Sequence, residues 1–214
     1  MGPVDWLMSQ SGRPRGLAGW LLVRGMNRAH APMTDWALSL VSLRDRRAVL
    51  DVGCGGGGTL LRLSALAPRA ELHGIDYSTQ ALDVAARATR RLMEQGRVFL
   101  READVSGIPY EEGRFDLTVA INSHYFWSDL AAGLGEIMRV LRPRGSIALA
   151  GGEYFGGKHD ARNRKLASNG RMNCQTLHEL RDMVSDAGYS DAAIHEEWDK
   201  GWFCVVGHKP IVDA

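Results

Sequence analysis

From residue 46 onward the chain alternates two hydrophobic patterns. Short apolar runs, the mark of strands covered on both faces, fall at 48–52, 71–75, 98–100, 115–121 and 146–150. Between them apolar residues recur every three or four positions, as on one side of a helix. Leu60, Leu63 and Ala67 mark a first helix that stops before Pro68, which cannot continue the hydrogen-bond ladder. Ala81, Ala85, Ala88 and Leu92 form the stripe of a second, with Ser78 as its N-cap. Leu130, Leu134, Ile137 and Leu141 form a third, closed by the turn Arg142-Pro143-Arg144-Gly145. Thr176 and Glu179 have capping-box spacing for a fourth, whose Leu177, Leu180, Val184 and Ala187 face inward. The runs at 192–197 and 203–206 have no helix between them and are predicted to pair antiparallel, closing the sheet. The alternation as a whole predicts an α/β fold with a largely parallel sheet between helices.

Two stretches stand outside this rhythm. Residues 1–45 carry helical patterns (Leu17, Trp20 and Leu21, then Trp36, Leu40 and Leu43) and are expected to form an amino-terminal helical cap on a main domain of residues 46–214. Residues 151–173 are polar and glycine-rich without clear periodicity, a long loop leaving the carboxyl end of the fifth strand. Ligands of open α/β sheets bind at such strand ends, and loops of that length are usually functional or disordered.

Composition narrows the classes. A chain of 214 residues, 45% hydrophobic, suits one domain with a buried core. No run reaches the length of a membrane span, and the apolar run at 17–23 is too short for a signal peptide. Cys54, Cys174 and Cys204 are too scattered for a disulfide framework, so a reducing, cytoplasmic location is expected. The seven histidines are dispersed and no Cys/His pair has ligand spacing, so no metal site is expected. A net charge of +1 gives no general attraction to nucleic acid, and the oligomeric state stays open. The charge is uneven, however. Residues 1–50 hold seven arginines against three aspartates, and Lys158, Arg162, Arg164, Lys165 and Arg171 stand against Asp160 alone, leaving the rest of the chain acidic.

The most informative chemistry sits after the first strand. Residues 53–58 are glycine except Cys54, a place where bare main chain lies against a ligand. Asp51 precedes them, and an ionised carboxylate at the end of a buried strand is costly unless it meets a donor or a cation. An amino group on the ligand would meet that need. Asp76 closes the second strand, about 20 residues after the glycines, where a carboxylate typically holds ribose hydroxyls. Asp104 follows the third strand; its carboxylate suits an exocyclic amine, with the Val105 amide offered to the ring. A glycine turn that merely packs a helix on a sheet would leave the three acids unexplained. A nicotinamide enzyme would usually have an apolar residue in place of Asp51 and a separate substrate domain.

At these residues the chain resembles the class I S-adenosylmethionine-dependent methyltransferases. The matching stretches are "VLDVGCGGGG", "HGIDYS", "EADVSGIPY", "FDLTVAINSHYFW" and "LGEIMRVLRPRG", in that order over roughly residues 46–150. One departure is Pro143-Arg144-Gly145, where Pro-Gly-Gly is usual. The resemblance implies a Rossmann-like open sheet of seven strands, mostly parallel with an antiparallel last pair. It implies S-adenosylmethionine as cofactor, with Asp51, Gly53, Cys54 and Gly55 at its methionyl end, Asp76 on the ribose and Tyr77 on the adenine face.

Methyl transfer is an in-line displacement that requires alignment and exclusion of water more than acid–base help. Candidates on the acceptor side cluster in "NSHYFW". Asn122 would turn its backbone to the methionyl group, His124 could take a proton, and Tyr125 and Trp127 could wall the acceptor. Equally, His124 and the aromatic rings could belong to the core. Asn27 and His30, three apart on a predicted helix, share a face that could point into the cleft. Glu153, Tyr154 and Phe155 lie just beyond strand five. The basic segments suggest an anionic acceptor, against the plainer reading of solvated loops. The expected function is therefore methylation of a small molecule at O, N, C or S. The alternatives are methylation of RNA or protein, or a non-catalytic cofactor-binding module.

Overall fold

The computed structural model describes residues 29–170 and 172–211. Its strands are β1 (Ala48–Val52), β2 (Glu71–Asp76), β3 (Val98–Glu102), β4 (Phe115–Ile121), β5 (Leu141–Gly151), β6 (Ser190–Glu197) and β7 (Trp202–His208). They form one sheet in the order β3-β2-β1-β4-β5-β7-β6. The first five pair in parallel, while β7 lies between β5 and β6 and runs antiparallel to both. The described helices are α1 (Ala31–Ser39), α2 (Gly58–Leu66), α3 (Thr79–Glu94), α4 (Leu130–Val140), α5 (Asp160–Ser168) and α6 (Leu177–Asp186). Both the Rossmann-like class and the antiparallel last pair agree with the sequence reading.

Alternation along each strand divides the interior in two. Leu50, Val52, Ile147, Leu149, Phe203 and Val205 pack under Leu134 and Ile137 of α4 and Leu180 and Val184 of α6. The intervening Val49, Val119, Ala148, Cys204 and Val206 pack under Ala37 and Leu38 of α1 and Leu60 and Leu63 of α2. Helix α1 is thus built into the second core. The first apolar segment expected at the amino terminus, around Leu17 and Trp20, lies outside the described residues.

Local signals explain most boundaries. Ser78 caps α3 by accepting from the Ala81 amide, and Thr176 and Glu179 form both bonds of the capping box on α6. Three expectations are corrected. The buried face of α3 is Ala81, Val84, Ala85 and Thr89, and Ala88 is exposed. Thr89 was passed over because it is polar, but its hydroxyl donates to the Ala85 carbonyl and its methyl can then be buried. Leu141 opens β5, paired with Phe115, instead of closing α4. Pro143 disfavours helical backbone in the residue before it, so the chain turns extended early. Finally, the supposed loop at 151–173 contains α5, whose buried residues are only Asn163 and Leu166, too few to make a stripe. Arg144, where the resemblance leads one to expect glycine, takes left-handed backbone (φ 63°).

Strand order reverses between β1 and β4. In such sheets the crevice beyond the carboxyl ends of the strands at that point is the ligand site.

Candidate functional site

The crevice begins with the glycine turn between β1 and α2. Gly53, Gly55 and Gly57 all have left-handed backbone, with φ of 72°, 51° and 77°. At Gly53 a side chain is also excluded by space, because a Cβ would stand 2.5 Å from the Ser123 Cβ. Ser123 is that close because its hydroxyl donates to the Val52 carbonyl at 2.7 Å, fastening the tip of β4 to the tip of β1. The sequence reading missed Ser123; a single serine after a strand carries no periodic signal. Gly57 caps α2, and its bare Cα lets the helix start against Ala85 of α3, 3.2 Å from where a Cβ would be. The Cys54 amide donates to the Ile75 carbonyl at 3.0 Å. Burial, with Asp51 and Asp76 nearby, holds its thiol well above the ordinary pKa, so it is a neutral filler.

Two carboxyl groups frame this turn. Asp51 is 1% exposed, and its Oδ2 is buried with no hydrogen-bond partner. Burial, reinforced by Asp76, pushes its pKa up to about 8. A buried carboxyl oxygen that makes no hydrogen bond is expensive in an apolar site and is relieved by an N–H donor or a cation. Asp76 ends β2, its Oδ2 accepting from the Gly55 amide and its Oδ1 from the Ser78 amide, both at 2.9 Å. Its pKa is raised by burial, partly offset by those two bonds. Each carboxylate oxygen can accept twice, so Asp76 shapes the turn and still has lone pairs for hydroxyls. Tyr77, beside it, is 38% exposed.

The remaining cofactor candidates lie on the neighbouring tips. Asp104 is exposed beyond β3, its Oδ1 accepting from the amide (2.9 Å) and hydroxyl (2.7 Å) of Ser106. It thereby caps a short 3-10 turn, Val105–Gly107, whose Val105 side chain is in the core. Asn122, just past β4, has left-handed backbone (φ 55°) and donates its amide to the Ala150 carbonyl at 2.8 Å. The structure therefore brings Asp51, Gly53, Gly55, Asp76 and Asn122 to adjoining tips of β1, β2 and β4.

Beyond β4 the candidates separate. His124 and Tyr125 lie in a second 3-10 turn, His124–Phe126. The His124 ring is buried among Tyr125, Trp127 and Phe203, and its Nδ1 has no partner. Burial pushes its pKa down to about 3, so the imidazole is neutral at pH 7 and a weak base. Trp127 packs on Gly133 of α4, where a Cβ would be 2.8 Å from the ring. Tyr154 lies edge-on to Phe203, and its hydroxyl donates to Glu196 Oε1 at 2.6 Å. Both rings belong to the α4/α6 core, so these two candidates are placed under the cleft rather than in it.

Tyr125 has different surroundings. Its ring covers Gly151, and its hydroxyl is buried near Glu153, just beyond β5. Burial, then Glu153, keeps the phenol protonated by holding its pKa well above the ordinary value. His30, the N-cap of α1, is kept neutral by burial, which the charge of Glu153 opposes. Asn27 lies outside the described residues. In the basic segment, Arg162 pairs with Glu153 at 3.1 Å, Arg164 pairs with Asp160 at 2.7 Å, and the Lys158 ammonium donates to the Asp199 carbonyl. Those three cations are engaged within the chain. Among the described residues no cluster of side chains suits a metal ion, and no helix is long and apolar enough to cross a membrane.

Such a site, on such a sheet, belongs to a nucleoside-binding Rossmann-like domain. Comparison with known proteins narrows the class. Residues 49–145 match the family described as a methyltransferase domain. The chain is 27% identical over 117 residues to the uncharacterized methyltransferase YdaC of Bacillus subtilis, covering 55% of this chain and 62% of that one. It is 27% identical over 169 residues to the 27-O-demethylrifamycin SV methyltransferase of Amycolatopsis mediterranei, covering 76% and 61%. The chain thus spans less than two thirds of the length of either relative. Among solved structures it superposes on one chain of the complex between the Haloferax volcanii Trm112 methyltransferase activator and a methyltransferase. The TM-score is 0.75 at 20% identity, covering 88% of this chain and 94% of that one. Over residues 49–145 the chain is thus similar to methyltransferase domains, and its fold is that of a solved structure from a methyltransferase complex.

Proposed function

We propose that this protein transfers a methyl group from S-adenosylmethionine to a small-molecule acceptor. The observation that carries the reading is Asp51: a fully buried carboxyl group with an unpartnered oxygen, at the lip of a turn whose glycines leave the main chain bare. When bound, S-adenosylmethionine supplies a methyl group activated by a sulfonium, together with an ammonium, ribose hydroxyls and an adenine. Asp51 takes the ammonium, and the backbone at Gly53, Cys54 and Gly55 lies along the methionyl chain. Asp76 accepts from the ribose hydroxyls. Tyr77 covers the adenine, while Asp104 and the Val105 amide meet its edge. The Asn122 backbone closes the methionyl side. His30, at the start of α1, lies on the acceptor side.

Because displacement at the methyl carbon needs position before acid–base chemistry, His124 serves best as a neutral wall that keeps water out. A small acceptor is supported by the rifamycin relative, whose name specifies methylation of a small molecule. Three buried, unpaired cysteines support a reducing, cytoplasmic setting.

Incubation with methyl-labelled S-adenosylmethionine and a fractionated cell extract tests the reading. Label in the low-molecular-weight fraction is expected. Label confined to RNA or protein, or none at all, overturns it.

A further inference from the structure

A cavity of about 220 Å³ lies on the α1 face of the sheet, where β5, β7 and β6 run beyond the end of that helix. It is at the opposite end of the strands from the crevice. Ser146, in its wall, stands five residues before Gly151 in β5, or about 17 Å at the usual strand rise. The volume would hold about seven waters at about 30 Å³ each, the scale of a small metabolite.

Its polar end is built on Arg46, just before β1. The guanidinium Nε donates to the Ser42 carbonyl at 2.8 Å, Nη1 to the Asp116 carbonyl at 2.7 Å and Nη2 to the Ser146 hydroxyl at 3.3 Å. A guanidinium has five N–H groups, so among the described residues one on each terminal nitrogen is left for a ligand. The carboxylate of Asp116 is committed elsewhere, to the Arg142 guanidinium at 2.5 Å and to the Arg47 and Ala48 amides at 2.5 and 2.8 Å. Arg46 is therefore held in place by neutral oxygens. Ser146 stands opposite His208 in the β5–β7 ladder, its hydroxyl 3.0 Å from the imidazole Nδ1. That hydroxyl accepts from Arg46 and turns its one hydrogen to Nδ1, which leaves the proton of the neutral ring on Nε2. Arg46 and His208 thus bring N–H donors to one wall.

Opposite charge comes from β6. The strand uses one residue more between Ser190 and Ala193 than β7 uses between His208 and Val206, and Asp191, inside this bulge, has left-handed backbone (φ 53°). Bulges re-aim side chains, and Asp191 stands on the rim of the cavity, exposed and with no ion pair among the described residues. The remaining wall is largely apolar, from Leu40, Val41, Ala193 and Val206. Lining one cavity of this size, the cation and the carboxylate lie within the span of a single small molecule.

We propose that this cavity binds a small zwitterion, an α-amino acid with a short aliphatic side chain, whose carboxylate meets Arg46 and His208 and whose ammonium meets Asp191. A plain anion would gain Arg46 but be opposed by Asp191. A plain amine would gain Asp191 but be opposed by Arg46. Only a ligand carrying both charges satisfies both ends, and its aliphatic part is received by the apolar wall.

NMR titration of the His195 and His208 imidazoles, both in the wall, tests the proposal with L-leucine as probe. Leucine should give a saturable shift with a dissociation constant of about 1 mM or lower. Isocaproate, which lacks the ammonium, and isoamylamine, which lacks the carboxylate, should each bind at least about tenfold more weakly. Asp191→Asn keeps a residue that tolerates left-handed backbone, and should weaken leucine at least about tenfold while isocaproate binds no worse. Ala193→Trp fills the cavity from an exposed position without touching its hydrogen bonds, and should abolish the shift. No saturable shift in wild type, or a shift that persists in Ala193→Trp, overturns the site. Isocaproate or isoamylamine binding as tightly as leucine, or leucine binding unchanged in Asp191→Asn, overturns the zwitterion. The titration does not involve the cofactor crevice, so its outcome is separate from that of the methyltransferase reading.

Discussion

The two ends of the crevice are built on different principles. At the tips of β1 and β2 the main chain does the shaping: three left-handed glycines, a carboxylate tied to a turn amide, and a serine clasp from β4. Beyond β4 and β5 the shaping falls to side chains that arrive from α1, a 3-10 turn, α5 and the segment before α6. In the proposed function the first end holds the cofactor. The second, the acceptor side in that reading, can exchange single side chains without disturbing the turn.

Four measurements sharpen this contrast. The largest effect is expected at Asp51. Its pKa in the folded protein, about 8, lies above its unfolded value, so the native state holds a proton that the unfolded state has lost at neutral pH. That contribution is fully present below about pH 4 and is lost as pH rises through 8, at up to about 1.4 kcal/mol per pH unit. Urea unfolding of wild type against Asp51→Asn across this window should show the slope disappear in the variant. Parallel slopes would mean that Asp51 is ionised in the free protein. Calorimetry of S-adenosylmethionine binding near pH 7 in buffers of different ionisation enthalpy should likewise show proton release.

Next in size is Gly53→Ala. A β-carbon there meets both left-handed backbone and Ser123, so urea unfolding should show a loss on the order of 3 kcal/mol. A loss below 1 kcal/mol would mean that the clasp yields easily. Asp76→Ala comes third. It removes the carboxylate from the turn and, in the proposed site, from the ribose, so calorimetric affinity for S-adenosylhomocysteine should fall about tenfold or more. An unchanged affinity would remove the ribose assignment. The smallest effect belongs to Tyr154→Phe, which breaks one hydrogen bond to the exposed Glu196. A stability loss of about 1 kcal/mol, with cofactor affinity untouched, is expected. A large loss of cofactor affinity would place Tyr154 in the cleft after all.

The same contrast explains what the sequence revealed. The cofactor end could be read because its parts are local. Asp51 and the glycines are neighbours, Asp76 ends a strand that periodicity identifies, and Ser78 follows it as a cap. Strand alternation and the Thr176–Glu179 capping box were visible for the same reason. Glu153 was noticed only as a residue in a favourable place, since its ion pair with Arg162 joins two segments that no periodicity relates. Helix α5 escaped notice because it is held by the amide of Asn163 rather than by an apolar stripe. Charge counting is incomplete for a related reason. Arg162, Arg164 and Lys158 look like a free basic patch in one dimension and are bound to acceptors in three.

The position of β7 bears on how the molecule is made. It leaves the ribosome after β6 yet lies between β6 and β5, so half of one edge of the sheet waits for the last strand to thread into place. The strands β1 to β4 make no ladder with β7 and can pair while synthesis continues, whereas Phe203, which backs His124 and Tyr154, arrives late. A nascent chain halted before Trp202 would carry the glycine turn and its two carboxyl groups, with His124 and Tyr154 lacking the ring behind them.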